Sequence, residues 1–152
     1  MGKIIHIDGP DKTGKDSIRR QVVKNAKGNT LVYVRSFLSQ IVYSRLYNRK
    51  INEDSFFMMW ANAIVRGEEF YFVDCSYELV KERFVKHDEK DLDIKDWKNH
   101  RRVFYDVLND AYEKYDIEVN RIDTTTDTIQ QSANKIQREL WENYLLQVKV
   151  EC

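Results

Sequence analysis

Gly9-Pro10-Asp11-Lys12-Thr13-Gly14-Lys15-Asp16-Ser17 is the stretch on which the reading of this chain turns. It fits GxxxxGK, with a serine one place later than the hydroxyl residue that usually follows the lysine. Each part answers a physical demand. Gly9 and Gly14 let the backbone curl so that successive amides, with Thr13 between them, face one anion. A helix opening directly after the loop adds the partial positive charge of its N-terminus. Lys15 is placed to bridge the β- and γ-phosphates of a nucleotide and to neutralise charge that develops in transfer. The flanks agree. Lys3 to Asp8, KIIHID, is a short β-branched apolar run that suits a buried parallel strand. Asp16 to Lys27 carries Ile18, Val22, Val23 and Ala26 on one helical face and stops at Gly28-Asn29.

Working outward, Leu31 to Arg35 (LVYVR) predicts a second strand, followed by helices over Ser36 to Tyr47 and Asp54 to Arg66. Phe70 to Asp74 (FYFVD) predicts a third strand. Ser76 is placed to cap a helix over Tyr77 to His87. A charged loop from His87 to Lys95 leads into a long helix, Ile94 to Tyr115, with Trp97, Val103, Phe104, Val107, Leu108 and Ala111 along its apolar side. Ile117 to Ile122 predicts a fourth strand. A loop from Asp123 to Thr126 leads into a closing helix from Asp127 to about Gln147, where Asp127 and Gln130 have the spacing of a capping box. Strands alternating with helices make this an α/β chain, a parallel sheet covered on both faces.

Composition narrows the function classes. With 152 residues, 42% hydrophobic and 33% charged, the chain is expected to form one domain, residues 1 to 152, around a sizeable core. Lys plus Arg and Asp plus Glu number 25 each, so the basic excess of a nucleic-acid-binding protein is missing. No apolar run approaches the length that spans a bilayer. Cys75 and Cys152 have no metal-ligand spacing and read as reduced thiols of a cytoplasmic protein. The residue after the motif lysine is Asp16, where a hydroxyl usually ligates magnesium. Either Asp16 supplies a carboxylate oxygen or Ser17 supplies its hydroxyl; both are hard ligands suited to that ion.

The motif and its surroundings resemble the thymidylate kinase and deoxynucleoside kinase group of P-loop kinases. Some members have an acidic residue third and a basic residue fourth in the loop, here Asp11 and Lys12. The resemblance implies that Lys12 helps stabilise the transferring phosphoryl and that Asp11 lies close to the acceptor sugar. A second match is Arg35, Ser39 and Tyr43, where the group has Asp-Arg at a strand end, then Ser and Tyr on the next helix. There Arg35 would contact the acceptor, and the helices over about 36 to 67 would line its pocket. Val34 stands where the group has Asp, and an apolar side chain can act neither as base nor as ligand. A third match, Phe70 to Arg83, leads to a lid over about 83 to 95, with Arg83, Lys86 and Lys90 as cations above the ATP phosphates.

The group has five parallel strands, whereas four are read here, so a three-layer α/β/α fold with four to five strands is expected. Either the acceptor region is reduced, or a stretch is missing between about Asn25 and Leu38. The function implied is magnesium- and ATP-dependent phosphoryl transfer to a deoxynucleoside monophosphate or a deoxynucleoside. Lys15, Lys12, Asp11 and Arg35 would be catalytic, Gly9 to Ser17 and Arg83 would bind ATP, and Arg35, Ser39, Tyr43 and Phe37 would bind the acceptor. Two other readings stand beside it: a kinase of another phosphorylated metabolite, and a nucleotide-binding regulatory protein that has lost catalysis with the Asp at position 34. Members of the group are often dimers, and Phe56 to Trp60 is read as either such a surface or core.

Overall fold

The computed structural model describes residues 2–26, 29–87 and 94–137, with side chains left aside at 85–87 and 94–95. Its elements run β1 Lys3–Asp8, α1 Lys15–Ala26, β2 Thr30–Val34, α2 Phe37–Leu46, α3 Glu53–Val65, β3 Glu69–Asp74, α4 Tyr77–His87, α5 Ile94–Tyr115 and β4 Asn120–Asp123. A closing helix, α6, begins at residue 129 and runs to 137, the last described residue. The strands form one parallel sheet in the order β2-β1-β3-β4. β1, which delivers the glycine loop, is therefore flanked on both sides, and its carboxyl end opens between those of β2 and β3.

Side-chain alternation sorts the helices into two layers. Ile5 and Ile7 of β1, with Tyr71 and Val73 of β3 and Ile122 of β4, pack against Ile18 and Val22 of α1 and Ala133 and Ile136 of α6. On the opposite face Phe70 and Phe72 meet Leu38, Ile41 and Val42 of α2, Phe57 and Trp60 of α3, and Phe104 and Val107 of α5. This is the expected three-layer α/β/α architecture, with four strands among the described residues. Three residues separate the end of α1 from β2, and backbone bonds pin β2 beside β1 at both ends, Lys3 N to Asn29 O and Arg35 N to Ile7 O.

Several local expectations shift. Ile117 does not open a strand. Asp116, with φ 56°, ends α5, and Ile117 folds back into the core with its amide on Ala111 O at 3.1 Å. β4 consequently starts later, at Asn120. The capping box of α6 lies one place beyond Asp127 and Gln130: Gln131 N donates to Thr128 Oγ1 at 3.1 Å, and Thr128 N donates to Gln131 Oε1 at 2.8 Å. Asp127 instead pairs with Lys135. Phe56 to Trp60 divides by helical period: Phe57 and Trp60 are buried, while Met58 and Met59 face outward. The expected cap on α4 is present, with Leu79 N donating to Ser76 Oγ at 3.3 Å. Residues 88–93 of the expected lid, including Lys90, the Lys86 side chain, Cys152 and the closing helix beyond residue 137 lie outside the described residues. Among the described residues, no helix is long and apolar enough to cross a membrane.

Candidate functional site

The loop between β1 and α1 takes its shape from two features of its backbone. Gly9 passes so close to β3 that an added Cβ would sit 2.2 Å from Val73 O, and Gly14 has φ 99°. Lys12 is also left-handed, with φ 65°, a costly state for a residue with a side chain. The carbonyls of residues 9 to 13 each accept a hydrogen bond. Gly9 O and Pro10 O accept from Lys15 Nζ at 2.5 and 3.1 Å. Pro10 O also accepts from Thr13 Oγ1 at 2.8 Å. Asp11 O accepts from Trp97 Nε1 of α5 at 2.7 Å, Lys12 O from Arg83 Nη1 of α4 at 2.5 Å, and Thr13 O from Thr124 Oγ1 beyond β4 at 2.7 Å. Three of these bonds tie the loop to α4, α5 and the segment after β4, and two others hold Lys15 against its start.

Lys15 is 5% exposed. Burial pushes its ammonium below the ordinary lysine range, and Asp11, 3.9 Å away, pulls it back up. A cation kept under the loop at this desolvation cost is placed for an anionic ligand. Asp16 lies exposed in the first turn of α1, and Ser17 is half-buried, its Oγ accepting from Arg20 at a long 3.4 Å. Among the described residues no cluster of three or more His, Cys, Asp or Glu could hold a metal. One carboxylate and one hydroxyl at the helix start suit a magnesium ion that takes most of its ligands from phosphate and water.

Beside the loop is a cleft of about 360 Å³, lined by Asp11, Arg35, Ser39, Gln40, Tyr43, Tyr47 and Arg49. Arg35 is left-handed, φ 72°, and its Nη2 reaches Asp11 Oδ1 at 3.4 Å. Both groups are largely exposed, so this pair aims a guanidinium more than it adds stability. The Tyr43 and Tyr47 rings stack at 6.1 Å and 9°, and His100 stands edge-on to both. Burial, followed by the nearby Asp11 charge, pushes the Tyr43 hydroxyl up to about 12, so it remains a donor at neutral pH. Arg49 lies over the Tyr47 ring at 5.5 Å.

The fold thus brings Asp11, Arg35, Ser39 and Tyr43 to one wall. It does not bring Phe37, which was expected to bind the acceptor. At the start of α2 that ring faces the sheet, 6.1 Å from both His6 and Phe70, and joins the core. Trp60 is wholly buried, on the core side of the two readings of its segment. Arg83 sits on the outer carbonyl edge of the loop at Lys12 and touches Cys75 Sγ at 3.8 Å.

Two carboxylates escaped the sequence reading. Asp8, at the end of β1, is 2% exposed and accepts from Ser36 N, Ser39 N and Ser39 Oγ on one oxygen, thereby capping α2 from another strand. Asp74, at the end of β3, is held by Arg101 through two bonds at 2.9 and 2.7 Å and by Tyr105 Oη at 2.5 Å. A strand ending in Asp beside β1 is a signal in the sequence, and here that carboxylate is occupied by α5. Trp97 and His100 read only as members of a helix.

Among solved structures, the chain is similar to the YorR protein of Bacillus subtilis, crystallised in complex with phosphorylated GDP. The TM-score is 0.71 over 99% of both chains at 12% sequence identity. At that identity the likeness is one of fold, an α/β fold that holds a nucleotide in YorR. No family model matches the sequence, and no curated protein does.

Proposed function

We propose that this protein transfers the γ-phosphate of ATP to a nucleoside or nucleotide, in the manner of the thymidylate and deoxynucleoside kinases. The observation that carries this reading is that the phosphate loop and the acceptor cleft share a residue: Asp11 belongs to the first and lines the second. A phosphoryl group held under the loop amides would face an acceptor bound between Arg35 and the tyrosine pair. Catalysis of this kind needs little covalent help from the protein; it needs alignment and charge neutralisation. Lys15 supplies a buried cation at the loop, and Lys12 adds a second at its tip. Arg35 holds the acceptor against Asp11, and the stacked faces of Tyr43 and Tyr47 suit a nucleobase. Magnesium, when bound, supplies divalent charge to the phosphate oxygens, with Asp16 or Ser17 as its protein ligand. The nucleotide carried by YorR on the same fold supports a nucleotide in this one.

Val34 favours a second reading, a nucleotide-binding protein without transferase activity, since β2 ends in an apolar residue where the resemblance places a carboxylate. Phosphoryl transfer from ATP with magnesium separates the two. The acceptors are the four deoxynucleosides, their monophosphates and a few unrelated phosphorylated metabolites, with Lys15→Ala as the blank. Transfer to a nucleoside or nucleotide that the blank loses is the expected result. Transfer only to an unrelated metabolite would move the acceptor class, and ATP binding with no transfer at all would establish the second reading.

A further inference from the structure

The carboxylate missing from position 34 has a substitute one register step away. Ile7 of β1 pairs with Val34 of β2, and Arg35 N bonds to Ile7 O. The residue after Ile7 is Asp8. Three donors converge on its Oδ1: Ser36 N at 2.7 Å, Ser39 N at 3.3 Å and Ser39 Oγ at 2.6 Å. The two amides, one from the residue before α2 and one from its first turn, hold the carboxylate in one orientation. The hydroxyl bond has a further consequence. Ser39 has one proton to donate and gives it to Asp8, so its lone pairs are what it offers the cleft that it lines.

Ser39 is 1% exposed at the wall of the cleft it lines; a serine oxygen there, backed by a buried carboxylate, can take a proton and relay it. We propose that Ser39 and Asp8 act together as the base for an acceptor hydroxyl, so that the group phosphorylated is the hydroxyl of a nucleoside sugar and not the oxygen of a monophosphate. The proposal rests on the phosphoryl-transfer reading above. A phosphate oxygen is already anionic and has no proton to lose at neutral pH; a hydroxyl must lose one as it attacks. In the step, the acceptor O–H proton passes to Ser39 Oγ while the Ser39 proton passes to Asp8 Oδ1. The acceptor oxygen forms the new bond to the γ-phosphorus. The bond from that phosphorus to the β,γ-bridging oxygen breaks, leaving ADP and a phosphorylated acceptor.

The surroundings fit a base. Burial pushes the Asp8 carboxyl above the usual carboxylate range, opposed by its three hydrogen bonds and by Lys15. The charged and titratable groups that interact with it are Lys15 from the first turn of α1 and Tyr43 from α2; Asp11, Arg35 and Asp16 act on Lys15 in turn. None of these, apart from Asp8, is both a carboxylate and buried. Asp11 is the competing base, but it is more than a third exposed and already faces Arg35.

The test compares wild-type protein with Asp8→Asn and Ser39→Ala in ATP-dependent transfer to the deoxynucleosides and to their monophosphates, over roughly pH 5 to 9. Asn keeps an oxygen for the Ser36 and Ser39 amides, and ATP binding by each variant reports an intact loop. Expected are transfer to a deoxynucleoside and a kcat lowered on the order of 10²-fold or more in both variants, with a much smaller change in KM. The acidic limb of the wild-type kcat profile disappears in both, and Ser39→Thr, which restores the hydroxyl, recovers most of the rate. Asp8→Asn within about threefold of wild type, well short of the loss expected for a base, overturns the relay. Transfer confined to monophosphates also overturns it while leaving the kinase reading intact, and no transfer to any acceptor removes both.

Discussion

Replacing Gly9 by alanine tests the closest approach in the site. The added Cβ would lie 2.2 Å from Val73 O, 3.2 Å from Val73 C and 3.4 Å from Val73 N. A relaxed contact needs about 3.5 Å, so the loop base and β3 must part by roughly 1.3 Å. Both partners are backbone, in strands that are hydrogen-bonded to each other, so no side chain can swing aside. Overpacking of this kind costs about 1–3 kcal/mol. The glycine-favoured backbone at Gly9 adds on the order of 1 kcal/mol, and the stiffer unfolded chain returns about 0.5 kcal/mol. A net loss of about 1.5–3.5 kcal/mol corresponds to a Tm lower by roughly 3–14 °C in a chain of this size. Gly67→Ala is the control. Its φ of 90° is also left-handed, but nothing lies within 4 Å, so it carries the conformational cost of about 1 kcal/mol without the collision. Urea unfolding followed by tryptophan fluorescence gives both values. If Gly9→Ala proves no more destabilising than Gly67→Ala, the close passage of loop and β3 is refuted.

Two further outcomes follow from features of the same region. Burial lowers the Lys15 pKa below its ordinary 10.5, so in the alkaline window beneath that value the unfolded chain holds more protons than the native one. Native stability relative to Lys15→Met therefore rises as pH rises through the window, and a difference that stays flat or falls in pH-dependent unfolding would contradict the buried ammonium. Thr128→Ala removes the cap of α6 and costs about 1 kcal/mol, whereas Asp127→Ala loses mainly an ion pair with an exposed lysine, worth about 0.5 kcal/mol or less. The reverse order in thermal unfolding would return the cap to Asp127.

Much of the fold was legible because its signals are local. β1, the glycine loop and α1 are contiguous, and the first three apolar runs became strands within a residue at either end. Ile117 misled because a helix that ends in a left-handed residue can send its next apolar side chain back to the core, which in one dimension looks like the start of a strand. Thr128 lost to Asp127 because both are good caps followed three places later by glutamine, and only geometry separates them. In the site, the loop was read from the spacing of its glycines and lysine, and Arg35, Ser39 and Tyr43 from the family resemblance; all three line the cleft. Asp8 was missed, because its partners Ser36 and Ser39 lie some thirty positions away on another strand's helix, and a carboxylate at a strand end carries no mark of burial. Trp97 was hidden by its own hydrophobicity: the ring fills the core, while its one polar atom holds Asp11 O. Phe37 erred the other way, an aromatic next to the cleft in sequence whose helical position turns it toward the sheet.

The clasping of the loop has a consequence for turnover. Asp11, Lys12 and Thr13 each present a carbonyl to a donor from a different element, so the loop is shaped before any ligand arrives. A ligand then spends none of its affinity on ordering residues that are already ordered. On the proposed phosphoryl-transfer reading, the diphosphate left after transfer would meet the same finished surface as the triphosphate and be gripped nearly as well. On that reading, the departure of ADP would set the pace of the cycle, with ADP a strong competitor of ATP.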